Sequence, residues 1–378
     1  MTPSGPYILY SESFTNIFTL LKDPRRITKG NFKYPLTELL FLVITSVLCG
    51  HSDYECISDF GKLNLEWFRK YFPFEKGICS PDVLERLFQK INHQLFNKCF
   101  MAWAKKSYIL TDDELIAIDG KRVCGSYDTL TETAASHILT AFMSSKSICM
   151  GQVTTHEKSN EITAIPELLD SIDVKGAMIS IDAMGCQKAI AEKIISKKAN
   201  YLLAVKENQK ELYQQIENLF TLKLGATSDE SIDNGHGRVE KRTATLLTNL
   251  DLLEEKENWA SLKSILKIDS ERYVKSTKLT SYQTRYYICS SNTYSATKMN
   301  HYVREHWAIE NKLHWQLDVN FGEDDARKRI GNSAKNFNLL LKTALTLLQR
   351  DRINKISIKR KKLKASYNLE YRELMMVV

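Results

Sequence analysis

Proline and glycine are scarce in this sequence, with 7 and 15 copies among 378 residues. This composition excludes collagen-like repeats and long flexible linkers. Long apolar runs are also absent: the most apolar stretch, residues 36–49, contains Thr37 and Glu38 and falls short of the ~20 apolar residues that a membrane helix requires. The sequence therefore predicts no membrane association, and residues 36–49 are expected to form a buried helix.

A pattern of metal-binding or disulfide-bonded cysteines is missing too. The eight cysteines are scattered without a C-x-x-C pair, and the first five residues, MTPSG, have neither the basic start nor the apolar stretch of a secretory signal. We expect reduced thiols and a cytoplasmic protein.

Positive charge is in modest excess and is concentrated near the C-terminus. The sequence carries 53 Lys and Arg against 45 Asp and Glu, a net charge of +8. Eight basic residues and one acid lie between Arg350 and Lys364. Residues 351–378 are therefore predicted to form a basic tail that binds phosphate backbones, which attract basic segments through counterion release. The alternative is a solvated helix end.

Two patterns of apolar periodicity divide the chain. Residues 1–108 show helical spacing at 36–48, 63–71 and 83–104 and no strand pattern, which predicts a mainly helical N-terminal domain. Ser80-Pro81 is expected to start a helix, as the N-cap and the first helical residue. From residue 109 onward the pattern changes to short β-rich runs.

The order of these runs indicates the fold class. The strand patterns lie at 115–123, 138–144, 150–156, 177–182 and 201–206. Helical patterns separate the later strands, so residues 109–350 are predicted to form an α/β domain, a ribonuclease-H-like mixed sheet with flanking helices. We expect a β-rich segment inserted at about 225–292, followed by helices at 296–317 and 337–348.

Two aspartates lie within or at the end of apolar strand patterns. Asp119 follows the residues IAI, and Asp182 follows ISI. Burying a carboxylate is costly unless its charge is compensated, and a hard cation such as Mg²⁺ compensates it through oxygen ligands. We therefore predict that the two strands bring Asp119 and Asp182 together at a metal site. For each aspartate alone, the alternative is a strand-end residue bonded to backbone amides.

A third acid is expected in the late helical pattern. Helical spacing places Glu310, His314 and Asp318 on one stripe. Glu305 and the acidic cluster at 323–325 are further candidates, and the pattern alone does not choose among them. The alternative is a helix that packs on the sheet through its apolar residues and leaves the polar ones in solvent.

Short motifs along the chain occur in a recognisable order. They are Asp119-Gly120-Lys121, Lys158-Ser159-Asn160-Glu161-Ile162, Asp182-Ala183-Met184-Gly185-Cys186-Gln187, Lys206-Glu207-Asn208-Gln209, Gly235-His236-Gly237-Arg238 and HWAIENKLHW at 306–315. Together they resemble the H-repeat-associated insertion-sequence transposases, which are DDE transposases with a ribonuclease-H-like catalytic domain. Residues 1–108 are similar to the helical domain associated with that family.

The resemblance implies a DNA transposase that cleaves the ends of its element and transfers the strands into target DNA. It assigns Asp119, Asp182 and Glu310 as catalytic acids that hold two Mg²⁺ (or Mn²⁺) ions. Double-stranded DNA is the implied partner, so the cytoplasmic protein would be nucleoid-associated when bound. A homodimer on DNA is expected because two ends must meet. The other functions considered are a catalytically silent DNA-binding protein derived from a transposase, and a ribonuclease-H-like nuclease that cuts without joining.

The resemblance and the basic segment also suggest residues that contact DNA or support the acids. DNA contacts are expected from Lys121, Lys158, Lys206, Arg238, Lys359, Arg360, Lys361 and Lys362. Supporting roles are expected for Asn160, Asn208, Gln209, His236 and His314, the last beside Glu310. The alternative for each is an ordinary surface, packed or ion-paired residue.

The sequence departs from the family pattern at three positions. Cys124 stands where an arginine is usual, and His306 and Leu317 stand where an arginine and a lysine flank the glutamate in related transposases. The resemblance therefore does not say which residues position the phosphate here.

Overall fold

A nine-stranded sheet lies between layers of helices in the computed structural model of this chain. The structure describes residues 6–25, 33–123, 137–155, 161–222, 225–235 and 237–376.

Six helices form the N-terminal layer. They are α1 (Pro6–Ile17), α2 (Leu36–Leu48), α3 (Tyr54–Leu63), α4 (Leu65–Phe68), α5 (Pro81–Lys90) and α6 (His93–Lys106). Helix α2 is buried along most of its length, and no described helix is long and apolar enough to cross a membrane. The helical spacing at 83–104 is divided between α5 and α6, because Ile91 leaves helical geometry and the Asn92 side chain caps α6 by accepting from the Leu95 amide. The helix in the region predicted at 63–71 spans only Leu65–Phe68, because Asn64 leaves helical geometry between α3 and α4.

The five predicted strand patterns form one mixed sheet. The strands are β1 (Leu115–Arg122), β2 (His137–Met143), β3 (Ile148–Thr155), β4 (Met178–Ile181) and β5 (Asn200–Val205). Strands β1, β2 and β3 pair antiparallel, whereas β4 is parallel to both β1 and β5. The connecting helices are α7 (Glu161–Ser171), α8 (Lys188–Ser196) and α9 (Lys210–Thr221). The predicted mixed α/β fold is thus confirmed.

The β-rich insertion continues this sheet and does not form a separate unit. Its strands are β6 (Thr227–Gly235), β7 (Arg238–Leu247), β8 (Ser264–Val274) and β9 (Leu279–Cys289). Because β9 pairs antiparallel with β5, the full order is β3-β2-β1-β4-β5-β9-β8-β7-β6. Strand β6 was not predicted because its sequence, TSDESIDNG, has almost no apolar residues; it pairs with β7 at the edge of the sheet.

Helices cover both faces of the sheet. Helices α7, α8 and α9 pack on one face in a core that includes Ile118 and Ile179. On the other face, α10 (Ala296–His306) packs over Leu115 and Met178. Helix α12 (Ser333–Arg350) packs over Ala117 and also against α2. The N-terminal layer and the sheet therefore share one apolar core.

The predicted basic tail is wrong for most of its length. The structure describes two helices there, α13 (Ile358–Tyr367) and α14 (Leu369–Met376). Arg372 is fully buried, and its Nε and Nη1 donate to the Ala365 carbonyl and to Asn64 Oδ1, each at 2.9 Å. These contacts fix the C-terminal helices to the N-terminal layer, so the segment belongs to the folded body of the protein.

Candidate active site

Parallel pairing brings Asp119 and Asp182 to the same edge of the sheet. Ile118 on β1 is in register with Ile181 on β4, so each aspartate is the next residue toward the carboxyl end of its strand. Neighbouring strands lie about 4.8 Å apart. The predicted approach of these two aspartates therefore follows from the register of β1 and β4.

The electrostatics of Asp119 link three acids. Burial raises the pKa of Asp119 to about 7, and the negative charges of Asp182 and Glu310 contribute to this shift. A carboxylate behaves in this way when like charges surround it with no cation between them. The charges of the other two acids that the resemblance assigned thus act on Asp119 in the folded chain.

Backbone and amide contacts hold the loop that follows Asp182. Asp182 Oδ1 accepts from the amides of Met184 and Gly185 at 3.1 and 3.4 Å, so the strand-end role considered as an alternative is present as well. The Asn208 side chain donates to the Ala183 carbonyl at 2.7 Å. Gln209 likewise donates to the Cys186 carbonyl at 2.9 Å. Both amides are therefore placed where they can orient the loop that carries Asp182.

Glu310 lies on a π-helical turn. The prediction of one uninterrupted helix over 296–317 is therefore wrong. Helix α10 ends at His306, residues Glu310–His314 form the π turn, and α11 (Trp315–Phe321) follows. Because a π turn bonds residue i to i+5, it rotates the following residues around the axis. The stripe predicted for Glu310, His314 and Asp318 is therefore broken. Burial raises the pKa of Glu310, against the opposing positive charge of Arg285.

The other candidates for the third acid contact lysine side chains. Lys121 Nζ is bonded to Asp318 and lies 2.7 Å from Glu323 Oε2 and 3.9 Å from Asp324 Oδ1. Glu305 Oε2 is 3.6 Å from Lys312 Nζ. Among the described candidates, it is Glu310 whose charge acts on Asp119.

His314 contacts Asp119, whereas the sequence placed it beside Glu310. Its Nδ1 lies 3.5 Å from Asp119 Oδ2. Burial lowers the pKa of His314 to about 3, so the ring is neutral near pH 7 and the contact is not an ion pair. The buried Nε2 has no hydrogen-bond partner among the described residues.

The donor chemistry of the site fits a hard divalent cation. Asp119, Asp182 and Glu310 offer carboxylate oxygens, which Mg²⁺ and Mn²⁺ prefer, and a cation would relieve the repulsion that raises the pKa of Asp119. In the described part of the chain, no group of three or more His, Cys, Asp or Glu side chains is already arranged to hold a metal ion. Asp182 and Glu310 are exposed, so their side chains have freedom to turn toward a cation.

The predicted DNA-contacting residues fall into different environments. Lys121 is only 14% exposed and belongs to the ion-paired cluster described above. Exposed Lys206 lines a cavity of about 760 Å³ together with Asp182 and Asn208. Arg238 lies at the tip of the β6–β7 hairpin, with Nε 4.0 Å from Glu240 Oε2. Lys158, Asn160 and His236 lie outside the described residues.

The four basic residues of α13 divide into two pairs. Lys359 and Arg360 are exposed. Lys361 is buried, and its Nζ donates to the Leu348 carbonyl at 3.1 Å. Lys362 Nζ donates to the Asn320 carbonyl, and burial lowers the pKa of Lys362 to about 8. Only the first pair of these four residues is thus fully exposed, whereas Lys362 is half-buried.

Two groups near the acids were missed from sequence. Arg285 on β9 acts electrostatically on Glu310, but no motif marks it. Glu161 acts on Asp119 and forms a buried hydrogen bond with His137. Glu161 stands in one of the family motifs, and that motif is the only signal in the sequence that points to it.

Comparison with known proteins identifies the family of this chain. The family described as "Transposase DDE domain" matches residues 110–347, and "DDE_Tnp_1-associated" matches residues 15–104. "Putative transposase YncI" of Escherichia coli O157:H7 is 39% identical over 369 residues, which cover 96% of this chain and 94% of that protein. "H repeat-associated putative transposase YhhI" of Escherichia coli (strain K12) is 38% identical over 360 residues, covering 93% and 94%. The resemblance drawn from the motifs is confirmed, and this chain belongs to the DDE transposase family.

Proposed function

We propose that this chain is an insertion-sequence transposase that cleaves DNA at the ends of its element and joins the freed ends to target DNA. Asp119, Asp182 and Glu310 are its catalytic acids in this proposal. The observation that carries it is the register of β1 and β4, which brings Asp119 and Asp182 together. The influence of Glu310 on the pKa of Asp119 supports the third assignment.

The three carboxylates would hold Mg²⁺ or Mn²⁺, as two ions in our prediction. Bound divalent cations supply activation of the attacking oxygen and neutralisation of charge at the scissile phosphate. In the first reaction water forms a bond to phosphorus and the bond to the 3′ oxygen breaks, which frees a 3′-hydroxyl. That hydroxyl then attacks a phosphodiester of the target. One phosphorus–oxygen bond forms as another breaks, so joining requires no external energy source.

The protein's own residues position the acids and the DNA. Asn208 and Gln209 fix the loop behind Asp182 through its carbonyls. The neutral ring of His314 packs against Asp119 and adds no charge there. Lys206 contributes positive charge to the cavity beside Asp182. The partner is double-stranded DNA, bound by a homodimer that brings two ends together.

A cleavage and joining assay tests the proposal. The substrate is a duplex carrying the DNA that flanks the protein's own gene, in Mg²⁺ or Mn²⁺. Wild type is expected to give cut and joined products. Asp182→Asn is expected to bind the duplex but to react about 100-fold more slowly or worse, because a lost metal ligand costs several kcal/mol of transition-state stabilisation. Asp170→Asn, which removes an exposed carboxylate on α7, is the control and should react normally.

The outcomes separate the alternatives. Binding without cutting by wild type, on a verified end sequence, would favour the silent DNA-binding protein. Cutting without joining would favour the nuclease.

Metal binding is measured independently of activity. A ligand that binds only the folded state raises its stability. Mn²⁺ is therefore expected to raise the unfolding temperature of wild type and of Asp170→Asn, but not that of Asp182→Asn. An equal rise in all three proteins would place the ion elsewhere.

A further inference from the structure

Two groups that could offer positive charge to a phosphate at the acids do not do so. Lys121 is surrounded by Asp318, Glu323 and Asp324, which already compensate its charge. His306 is the second. Its Nδ1 lies 2.9 Å from Ser180 Oγ, and burial lowers its pKa to about 4. The ring is therefore uncharged at neutral pH.

Arg285 stands at the same edge of the sheet as the acids. Val205 on β5 is in register with Tyr286 on the antiparallel β9, so Arg285 lies opposite Lys206, just past the carboxyl end of β5. Asp182 follows β4, the other neighbour of β5. Two strand spacings and an offset of two residues along the strands separate them, so the backbones of Asp182 and Arg285 are about 12 Å apart.

The side chain of Arg285 is on the face that carries Glu310. Ile118 and Tyr286 both pack into the core beneath α7, α8 and α9. Because side chains alternate along a strand, Asp119 and Arg285 lie on the opposite face, against α10 and the π turn. The Arg285 guanidinium carbon is 4.8 Å from the centre of the Trp307 ring, and its charge acts on Glu310.

Arg285 has donors to spare. A guanidinium carries five N–H donors. Nη2 donates to Gln283 Oε1 at 2.9 Å, and the group also hydrogen-bonds Tyr287. Among the described residues it forms no ion pair with a carboxylate within 4.0 Å. Arg285 also lines the 760 Å³ cavity that contains Asp182 and Lys206, and planar guanidinium groups bind phosphate oxygens in pairs.

We propose that Arg285 binds the scissile phosphate beside Asp182 and Glu310 and supplies the positive charge that His306 does not. This inference rests on the proposed function, because it requires that a phosphodiester is cut at these acids. It assigns to the inserted β segment a direct part in the reaction, through the strand that pairs with β5.

A charge-neutralisation cycle tests the contact. The cutting position is first mapped with wild type on the flanking-DNA duplex in Mn²⁺. A second duplex then carries a methylphosphonate, which has no charge, at that one position. Dissociation constants for both duplexes are measured in EDTA, so that no metal ion contacts the phosphate, with intact strands verified on a denaturing gel. The proteins are wild type, Arg285→Gln, Arg285→Lys and Arg272→Gln. The last is the control, because it removes an exposed arginine on β8 that pairs with β9 at Ser281.

If Arg285 contacts the scissile phosphate, the losses of binding affinity caused by the methylphosphonate and by Arg285→Gln should not add. Wild type should bind the methylphosphonate duplex about 10-fold more weakly, as expected for one charge-assisted hydrogen bond. Arg285→Gln should show a similar loss on the natural duplex and almost no further loss on the modified one. Arg285→Lys should recover part of the affinity for the natural duplex only. Arg272→Gln should keep the full effect of the methylphosphonate, and equal circular dichroism spectra should show that each variant is folded.

Two results would overturn the inference in distinguishable ways. If wild type cuts the duplex but Arg285→Gln still loses the full factor on the methylphosphonate, Arg285 does not contact the scissile phosphate, although the proposed function stands. If wild type does not cut a verified end sequence, the proposed function fails and this inference fails with it.

Discussion

Glu310 and Asp318 differ in their partners, and the difference predicts which one acts as the third acid. Glu310 is exposed, whereas Asp318 is bonded to Lys121. Glu310→Gln is expected to slow cleavage by about 100-fold or more, the cost of a lost metal ligand. Asp318→Asn should slow it by less than about 10-fold, a barrier increase under about 1.4 kcal/mol, because Lys121 keeps Glu323. Single-turnover rates at saturating DNA measure both. The reverse order would assign the role to Asp318.

Gly120 has no room for a side chain. An added Cβ would collide with His137 Nε2 and Glu161 Oε1, which form a buried hydrogen bond. Gly120→Ala is therefore expected to lower the free energy of unfolding by about 1–3 kcal/mol, as overpacking does. Gly235→Ala is the matched control, because nothing lies within 4 Å of the added carbon, and its effect should stay within about 0.5 kcal/mol. Urea denaturation gives both values, and equal losses would contradict the prediction.

The sequence allowed prediction of those site residues whose positions depend on the local pattern of apolar and polar residues. Asp119 and Asp182 were found because an acid after an apolar strand is unusual, and the structure pairs their strands. Arg285 was missed because its position depends on β9 pairing with β5, and no spacing in the sequence encodes that partner choice. Lys121 was recognised as a motif residue, but its acidic partners come from a distant part of the chain.

At the scale of elements, the helix that carries Glu310 shows where periodicity fails. Apolar spacing predicted one helix over 296–317, and the structure inserts a π turn at Glu310–His314. A single extra residue in one turn leaves the average spacing nearly unchanged, so the pattern does not reveal it. The turn nevertheless decides which side chains share a face: Glu310 is exposed and His314 points to Asp119.

Helix α13 should contribute two phosphate contacts. Lys359 and Arg360 are exposed, whereas Lys361 is buried. Replacing both exposed residues with Gln is expected to weaken binding to any duplex alike and to reduce the slope of log K against log salt by about 2. The unfolding temperature should not change. Binding measured across a salt series checks this prediction, and an unchanged slope would refute it.

Lys361→Gln is the matched control for this pair. It should leave the salt slope unchanged and lower the unfolding temperature, because Lys361 donates to buried carbonyls. Deletion of residues 350–378 would not isolate the charge of this segment, since it would also remove α13 and α14 from the core.

At the scale of the whole molecule, His93 on α6 connects that helix to α12 and to β3, and it makes the stability of the fold depend on pH. Its Nδ1 lies 3.2 Å from Asn336 Oδ1 on α12, and its Nε2 lies 3.1 Å from Thr154 Oγ1 on β3. Burial, helped by the charges of Lys335 and Lys342, lowers the pKa of His93 from 6.5 to about 4. Between these two pH values the unfolded chain therefore binds a proton here that the folded chain does not, so stability falls as pH falls.

His93→Gln tests this link. From pH 7.5 to 4.5 wild type should lose about 1–3 kcal/mol more stability than the variant, because each tenfold difference in proton affinity between the folded and unfolded chains is worth about 1.4 kcal/mol. His306 and His314, whose pKa values are also lowered, add similar losses to both proteins, so the difference between the proteins isolates His93. Urea denaturation at the two pH values supplies the data. Identical losses would show that His93 does not control the acid response.

The global architecture was predictable where order along the chain decides it. Three strands followed by alternating helices and strands allow few arrangements, and the mixed sheet was predicted from them. Four strands lie within the predicted insertion, but that they would join the same sheet was not foreseen. The last residues pack against the core through apolar side chains that lie between lysines, such as Ala365 and Tyr371. A count of charges overlooks these positions.

The apolar cluster that contains Phe14 also contains Met376, and this has a consequence for synthesis on the ribosome. The N-terminal part of a chain emerges first, so the apolar surface of α2 is made long before α12 and α14, which cover it. Folding of this layer must therefore wait until almost the whole chain has been translated. A coding sequence interrupted before α12 would give a product with an uncovered apolar helix, prone to aggregation and degradation. We therefore expect truncated chains that lack α12 to be lost through instability, even where Asp119, Asp182 and Glu310 are all encoded.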